Sequence, residues 1–352
     1  MSMYDKLLTT EPVRTGINKA ADRLGLLSAA GYYEKEAIRM PFNGKSGKFK
    51  AAIKEVEIGC GEKAIKLGGE NVLPFYTFDG EIANAPKVGV MISDKGLQDE
   101  VEGVAAYYAG CETIADIAKK AAEMPGADFV ALSLESADPN GDDASVESCC
   151  ETVKAVVEAI DAPLAIIGTG NDEKDNELLV KAAEVAEGKN VLIMSAKEGT
   201  YKSVAMSGIQ AYHHKVAAES AVDINLAKQL NVLISQLGIP VEDTVMHTGT
   251  ATAGYGYEYV ASTLDRIKAA ALAQNDNMLQ VPIVTPVASE TYGVKETLSS
   301  EADAPEWGSR DARAINMEVV TAAADLASGS NAVILKHPAS VATIKKMIDE
   351  LM

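Results

Sequence analysis

From Lys87 onward the chain repeats one unit: a short apolar, β-branched run, a loop rich in glycine and polar residues, then a segment with apolar residues at three- and four-residue spacing. The runs are "KVGVMIS" (87–93), "DFVALSLE" (128–135), "PLAIIGTG" (163–170), "NVLIMSA" (190–196), "KVAAES" (215–220), "DTVMHT" (243–248), "VPIVTPV" (281–287) and "NAVILKH" (331–337). Alternation of this kind predicts parallel strands joined by crossover helices. Almost every run is apolar on both faces, as a sheet packed inside and out requires, whereas a half-exposed sheet would alternate. Eight such strands count to a closed barrel, so the expected fold class is α/β, a TIM (β/α)8 barrel. The segments 145–160, 175–187, 224–238 and 257–273 each carry one apolar face that can cover the sheet.

Residues 1–50 break this pattern and are expected to form an N-terminal extension, with a helix from Val13 to Met40 followed by the basic turn "PFNGKSGKFK". The next stretch alternates in two arms around Gly59 to Gly61, which predicts a β-hairpin within 51–80 that closes the floor of a barrel occupying 51–352. "NGKS" (43–46) is not read as a phosphate loop. The position five before Gly44 is Arg39 instead of glycine, and Pro41 interrupts any feeding strand.

Composition narrows the function classes. Of 352 residues, 47% are hydrophobic, enough for one large core. Fifty-one acidic against thirty-two basic residues leave a net charge of -19, which repels a phosphate backbone or an anionic membrane, so neither nucleic acid nor membrane is an expected partner. The first residues lack a cationic start followed by an apolar core, and no run approaches the ~18 apolar residues of a membrane span. A soluble, cytoplasmic protein is expected. Cys60, Cys111, Cys149 and Cys150 form no C-x-x-C pair, so they are read as reduced, mostly buried thiols and not as cluster or zinc ligands.

In such a barrel, function collects on the loops that follow the strands. Here those loops are rich in Asp, Asn, Thr, Ser and Gly and poor in Lys and Arg; "VMHTGTATAGYGYEYV" (245–260) is the extreme case. Many hydrogen-bonding groups on bare backbone suit a large neutral ligand carrying amides and carbonyls better than a sugar phosphate. Part of this polarity serves structure: Asp175 and Asp223 read as helix N-caps and Asp138 to Gly141 as a turn. His213 and His214 precede a strand at the bottom face and read as surface or satisfied core residues. His247 and His337 end strands at the top and are the better site candidates. No H-E-x-x-H helix, nucleophile elbow or Ser-His-Asp order stands in a suitable context, so any catalysis runs through positioning or a cofactor.

Several stretches, taken in order, carry a resemblance: "GGENVLPFYTFDGEIANAPKVGVMISD", "SADPNGDDASVESC", "IIGTGNDEKDNELL", "DINLAKQLNVLI", "GYGYEY" with "DRIKAAAL", and "VILKHPASV". From about Val56 to its end the chain resembles the small subunit of the corrinoid iron–sulfur protein, the delta subunit of acetyl-CoA decarbonylase/synthase complexes. The resemblance implies a methyl carrier of the reductive acetyl-CoA (Wood–Ljungdahl) pathway of carbon fixation. In it a methyl group passes from a methyltetrahydropterin, folate or sarcinapterin, through cobalt to acetyl-CoA synthase. It further implies a heterodimer with a large (gamma) subunit that holds the iron–sulfur cluster and the corrinoid (cobamide). The remaining implied partners are a pterin methyltransferase and acetyl-CoA synthase/CO dehydrogenase. No histidine here sits in D-x-H-x-x-G and no cysteine spacing could hold a cluster, in keeping with that division of labour. This chain would then be a non-redox subunit whose loops cap the corrin ring, with no catalytic or metal-ligating residue of its own. Asp138, Asn140, Thr169, Asn171, Asp223, Asn225, Thr248 and Tyr255 are the residues expected to touch it, with Thr250 and Thr252 adding hydroxyls. The alternative is a self-sufficient pterin-dependent methyltransferase, with Asn171 and the "DIN" of Asp223 to Asn225 binding the pterin.

Overall fold

Residues 47–98 and 100–352 are described by the structure, a computed structural model. The helix predicted from Val13 to Met40 lies outside the described residues, as does the first part of the basic turn.

All eight runs become strands of one barrel: β3 (Lys87–Ser93), β4 (Phe129–Ser133), β5 (Leu164–Ile167), β6 (Leu192–Ala196), β7 (Lys215–Glu219), β8 (Thr244–His247), β9 (Val284–Thr285) and β10 (Ala332–Leu335), preceded by β1 (Val56–Ile58) and β2 (Ile65–Leu67). β3 to β8 pair in sequence order, and β10 pairs with both β3 and β9, every pair parallel. A parallel bridge between Met246 and Ile283 joins β8 to the β9 side, with the Met246 N–H donating to the Pro282 carbonyl at 2.8 Å. The sheet is thereby closed. The four helical segments read from the sequence appear as Val146–Ala159, Asp172–Val185, Ile224–Gln236 and Tyr257–Leu272.

The period of two along each strand sorts its side chains into two cores. Val88, Val90, Ile92, Val130, Leu132 and Ile166 point outward under the helices. Met91, Phe129, Ala131, Ala165, Met194 and Val245 point inward. Large and small inward residues must complement one another to fill the barrel at interior density. Gly89 is the sharpest case, since a Cβ there would stand 2.4 Å from the Phe129 ring.

β1 and β2 form an antiparallel hairpin with Val56 opposite Leu67 and Ile58 opposite Ile65. These four side chains join the inward-facing barrel core, while Glu57 and Lys66 between them stay in solvent. The hairpin is therefore the floor of the barrel. Asn190, just before β6, clasps it. Its side-chain N–H groups donate to the carbonyls of Glu57 and Gly59, and its own carbonyl accepts from the Gly59 N–H at 2.8 Å. His214 is fully buried as a satisfied core residue, its Nδ1 accepting from the Val191 N–H and its Nε2 lying 2.8 Å from the Ala183 carbonyl.

Two expectations need correction. Asp175 is not the N-cap of its helix. Asn171 caps it by accepting from the Lys174 N–H, and Asp175 is buried beneath the loop. Nor are the cysteines mostly buried: all four are free, Cys149 alone is buried, and Cys60 is exposed on the hairpin turn. Among the described residues no helix is long and apolar enough to cross a membrane.

Candidate functional site

A cleft of about 710 Å³ opens at the C-terminal end of the strands, and its lining draws on the loops after all eight barrel strands. Parallel strands all end on the same face, which is why residues far apart in sequence converge there. Its base is apolar, with Met91, Ile167 and Met194, and its walls are polar and charged.

The centre of the cleft is built by three consecutive strands. Ser195 lies one residue before the end of β6, and Glu219 and His247 are the last residues of β7 and β8. Glu219 and His247 are lateral neighbours in the sheet. The register of β6 against β7 shifts between Met194 and Ala196, and Ser195 sits at that shift. His247 Nδ1 lies 3.0 Å from Ser195 Oγ and 3.3 Å from Glu219 Oε2. Burial alone would raise the Glu219 carboxyl. The hydrogen bond and charge of His247, with Lys197 and Ser195, outweigh burial and hold it down to about 2. An ionised Glu219 only accepts hydrogen bonds, so the imidazole facing it carries its proton on Nδ1. Lys197 donates to the Gly170 carbonyl at 2.8 Å and stands 3.9 Å from the other Glu219 oxygen.

A second charged group forms the wall under β10. Lys336 reaches Glu100 at 2.5 Å and lies 5.0 Å from the centre of the Tyr292 ring. Burial lifts the Glu100 carboxyl despite Lys336, and lifts the Tyr292 hydroxyl well above its ordinary range. Behind this wall Glu318 is fully buried and accepts the backbone N–H groups of Lys336 and His337 at 2.7 and 3.1 Å. Burial nevertheless pushes it up to about 7. His337 caps the final helix through Nδ1, and its Nε2 meets Asp311 at 3.1 Å, so this candidate histidine belongs to the wall's support and not to the lining.

Of the eight expected site residues, Asp138 and Thr169 line the cleft. Asp138 also holds its own turn by accepting from the Asn140 N–H at 2.8 Å, and Asn140 is exposed outside the lining. Thr169 is bound to Asp175, which takes the Thr169 N–H and hydroxyl and the Gly170 N–H at 2.7, 2.9 and 2.8 Å. A Cβ on Gly168 would stand 2.6 Å from that carboxylate, so the bare backbone lets the loop close over it. Asn171 and Asp223 are helix caps, and Asn225 is exposed in the first turn of its helix. Thr248 is buried, and Tyr255 is exposed with its hydroxyl on Glu296 at 2.6 Å. Among the threonines of this loop, Thr250 alone lines the cleft. Thr252 is buried and turns to Thr321. Sequence reasoning missed Ser195, Lys197, Glu219, Tyr292 and Lys336. The available signal was position, because Ser195 and Glu219 stand at the C-terminal ends of their strands as His247 does.

The family of CO dehydrogenase/acetyl-CoA synthase delta subunits matches residues 55–304. The chain belongs to this family. Subunit delta 1 of the acetyl-CoA decarbonylase/synthase complex of Methanosarcina thermophila is 34% identical over 302 residues, covering 83% of this chain and 67% of that protein. Subunit delta from Archaeoglobus fulgidus is 30% identical over 328 residues, covering 90% of this chain and 72% of its own length. These relatives of the delta family are named as parts of a multi-subunit complex. Among solved structures, dihydropteroate synthase from Xanthomonas albilineans with 4-aminobenzoic acid superposes with a TM-score of 0.50 at 12% identity, covering 84% of this chain and 98% of that one. The 7,8-dihydropteroate synthase from Vibrio fischeri ES114 gives a TM-score of 0.50, also at 12% identity, covering 84% and 97%. At that identity the likeness speaks for the barrel fold alone.

Proposed function

We propose that this delta-family barrel is the small subunit of a methyl-carrying corrinoid protein, and that its cleft covers a corrinoid held by a large (gamma) subunit. The observation that carries this reading is the lining of the mouth, to which every barrel loop contributes and in which the cations already have partners. Lys336 faces Glu100, and Lys197 is shared by Asp172 and Glu219. A ligand therefore meets hydrogen-bonding groups and bare backbone at Gly168, Gly170 and Gly249, and no charge clamp. That chemistry fits the amide-bearing periphery of a neutral macrocycle. Among the described residues no group of three or more His, Cys, Asp or Glu could hold a metal ion.

When bound, a corrinoid supplies a cobalt that accepts and passes on a methyl group. The work left for this chain is to orient the ring and keep water from it, since a reduced metal is consumed by side reactions. Tyr255, Tyr259, Leu298 and Trp307 are large exposed side chains in the segments that follow β8 and β9. They are suited to burial under a partner subunit. In this reading the methyl group comes from a methyltetrahydropterin, folate or sarcinapterin, by way of a pterin methyltransferase, and leaves to acetyl-CoA synthase.

The test is the visible absorption spectrum of the chain purified alone and again co-expressed with its large subunit, followed by methyl transfer to the pair. Corrinoid bands in the pair and not in the chain alone are expected. A pair without corrinoid that accepts no methyl group overturns the reading, and calorimetric pterin binding by the isolated chain would replace it with a pterin-dependent methyltransferase.

A further inference from the structure

Charge is distributed unevenly around the cleft. Every cation in its lining already has a partner: Lys336 faces Glu100, Lys197 is shared by Asp172 and Glu219, and Arg310 donates to the Thr297 carbonyl. The carboxylates are in surplus. Glu135, Asp138 and Glu290 line the cleft, and no salt bridge joins any of them to a described cation. Glu135 accepts from the Ser93 hydroxyl at 3.0 Å and Asp138 from the Asn140 N–H at 2.8 Å, neutral donors that leave the negative charge in place. These acids do not form one cluster. Glu135 and Asp138 follow β4 and Glu290 follows β9, strands three places apart around the closed barrel, an arc of about 14 Å at the ~4.8 Å spacing of neighbouring strands. A ligand lying across the mouth therefore meets negative charge from two sides, and the low-dielectric walls carry that field across the cleft without contact.

Resting on the corrinoid reading, we propose that the cleft selects its ligand by charge: it admits a corrin whose peripheral groups are amides and rejects the same ring carrying carboxylates. A primary amide offers N–H groups to acceptors such as Glu135, Asp138 and Glu290 and brings no charge of its own. A carboxylate in its place brings only acceptors and like charge. The cations that could offset it are held by Glu100, Glu219, Asp172 and the Thr297 carbonyl. Glu135, Asp138 and Glu290 are thus specificity-determining residues, and they act through their field whether or not each one touches the ring.

The experiment uses the full chain paired with its large subunit and freed of corrinoid. It is titrated at low salt with two forms of one corrin ring, all-amide and all-carboxylate, and binding is followed by visible absorption. Burial lifts the Glu290 carboxyl, so the titration is run at pH 8, where it is ionised. The amide form is expected to bind about tenfold or more tightly than the carboxylate form. Salt at 1 M is expected to close most of that gap, because screening then cuts the reach of a charge to ~3 Å. Glu290→Gln removes one charge without breaking a hydrogen bond to any described residue. It is expected to narrow the gap about threefold, the worth of one unit charge at about 6 Å in water. Asp138→Asn, on the other side of the mouth, is the second variant should the first fail to fold. Equal binding of the two forms overturns the proposal and leaves the corrinoid reading standing. A gap that neither salt nor either variant narrows does the same, since the selection would then lie in the large subunit. A pair that binds neither form overturns the corrinoid reading itself, and the proposal with it.

Discussion

At position 89 the barrel interior leaves no room for even one methyl group, because Phe129 from the neighbouring strand already fills that layer. Gly89→Ala is therefore expected to cost about 1–3 kcal/mol through overpacking, in spite of alanine's better fit to a strand. In a Phe129→Leu background the added methyl has space, and the penalty should fall by half or more. A double-mutant cycle by urea unfolding measures this coupling, and additive effects would show that the two side chains do not compete. Asp175 is a second residue whose role is set by contact instead of by sequence position. It gathers the donors of Thr169 and Gly170, so the loop after β5 reaches the cleft in one fixed shape. Both residues show the same logic, in which a single atom's distance decides what the loop or layer can hold.

Among the elements, the hairpin β1–β2 is the one held by few but specific bonds. Asn190 donates twice to it from a backbone with φ of +46°, a conformation asparagine tolerates and alanine does not. Asn190→Ala is expected to destabilise the protein by about 2–4 kcal/mol, from two lost hydrogen bonds and the strained backbone. Asn190→Gly removes only the first, so it should cost less in the same thermal or urea assay. The segment that follows the hairpin is tied to the barrel by a buried triad. Lys268 bonds Glu70 at 2.5 Å and Asn331 at 3.0 Å, and Asn331 donates to Glu70 at 2.9 Å. Burial works to raise the Glu70 carboxyl, and Lys268 and Asn331 more than offset it. Lys268→Met leaves that carboxylate buried without a counter-ion and is expected to cost about 3–5 kcal/mol.

For the whole molecule, buried carboxyls set how stability follows pH. Glu318 and Asp325 are pushed up to about 7 by burial, so the folded chain keeps protons that the unfolded chain releases near pH 4. Their contribution is present below that range and is lost as pH rises to about 7, on the order of 3 kcal/mol for each group. Glu219 has the opposite sign. Held down to about 2, it contributes stability above pH 4.5 that disappears as pH falls towards 2. Unfolding free energy measured in urea should therefore decline between pH 5 and pH 8. Asp325→Asn should flatten that decline, since one oxygen of Asp325 is buried without a partner. The net charge of -19 adds self-repulsion that salt screens. Comparing variant with wild type at one ionic strength cancels that contribution. An Asp325→Asn profile parallel to the wild type would show that this carboxyl does not titrate in the folded chain.

The sequence by itself determined the strands, the helices and the barrel. Each depends on the identity of residues two to four positions apart, and "KVGVMIS" or "NVLIMSA" carries its strand whatever lies elsewhere. It also determined the family, through motifs whose order and spacing survive as text. Only the tertiary structure decided which side chains meet. Ser195 and His247 are 52 residues apart, and nothing local records that β6, β7 and β8 set their ends side by side. The same holds for the loop after β8, where three threonines look alike in sequence. Thr250 lines the cleft while Thr248 and Thr252 are buried. Asp223 reads as a helix cap in the sequence and is one, whereas the cap expected of Asp175 falls to Asn171 and Asp175 turns to the loop after β5. Local preference fixes elements because its interactions are short in range. The site is made by lateral register and barrel closure, and those depend on the whole chain at once.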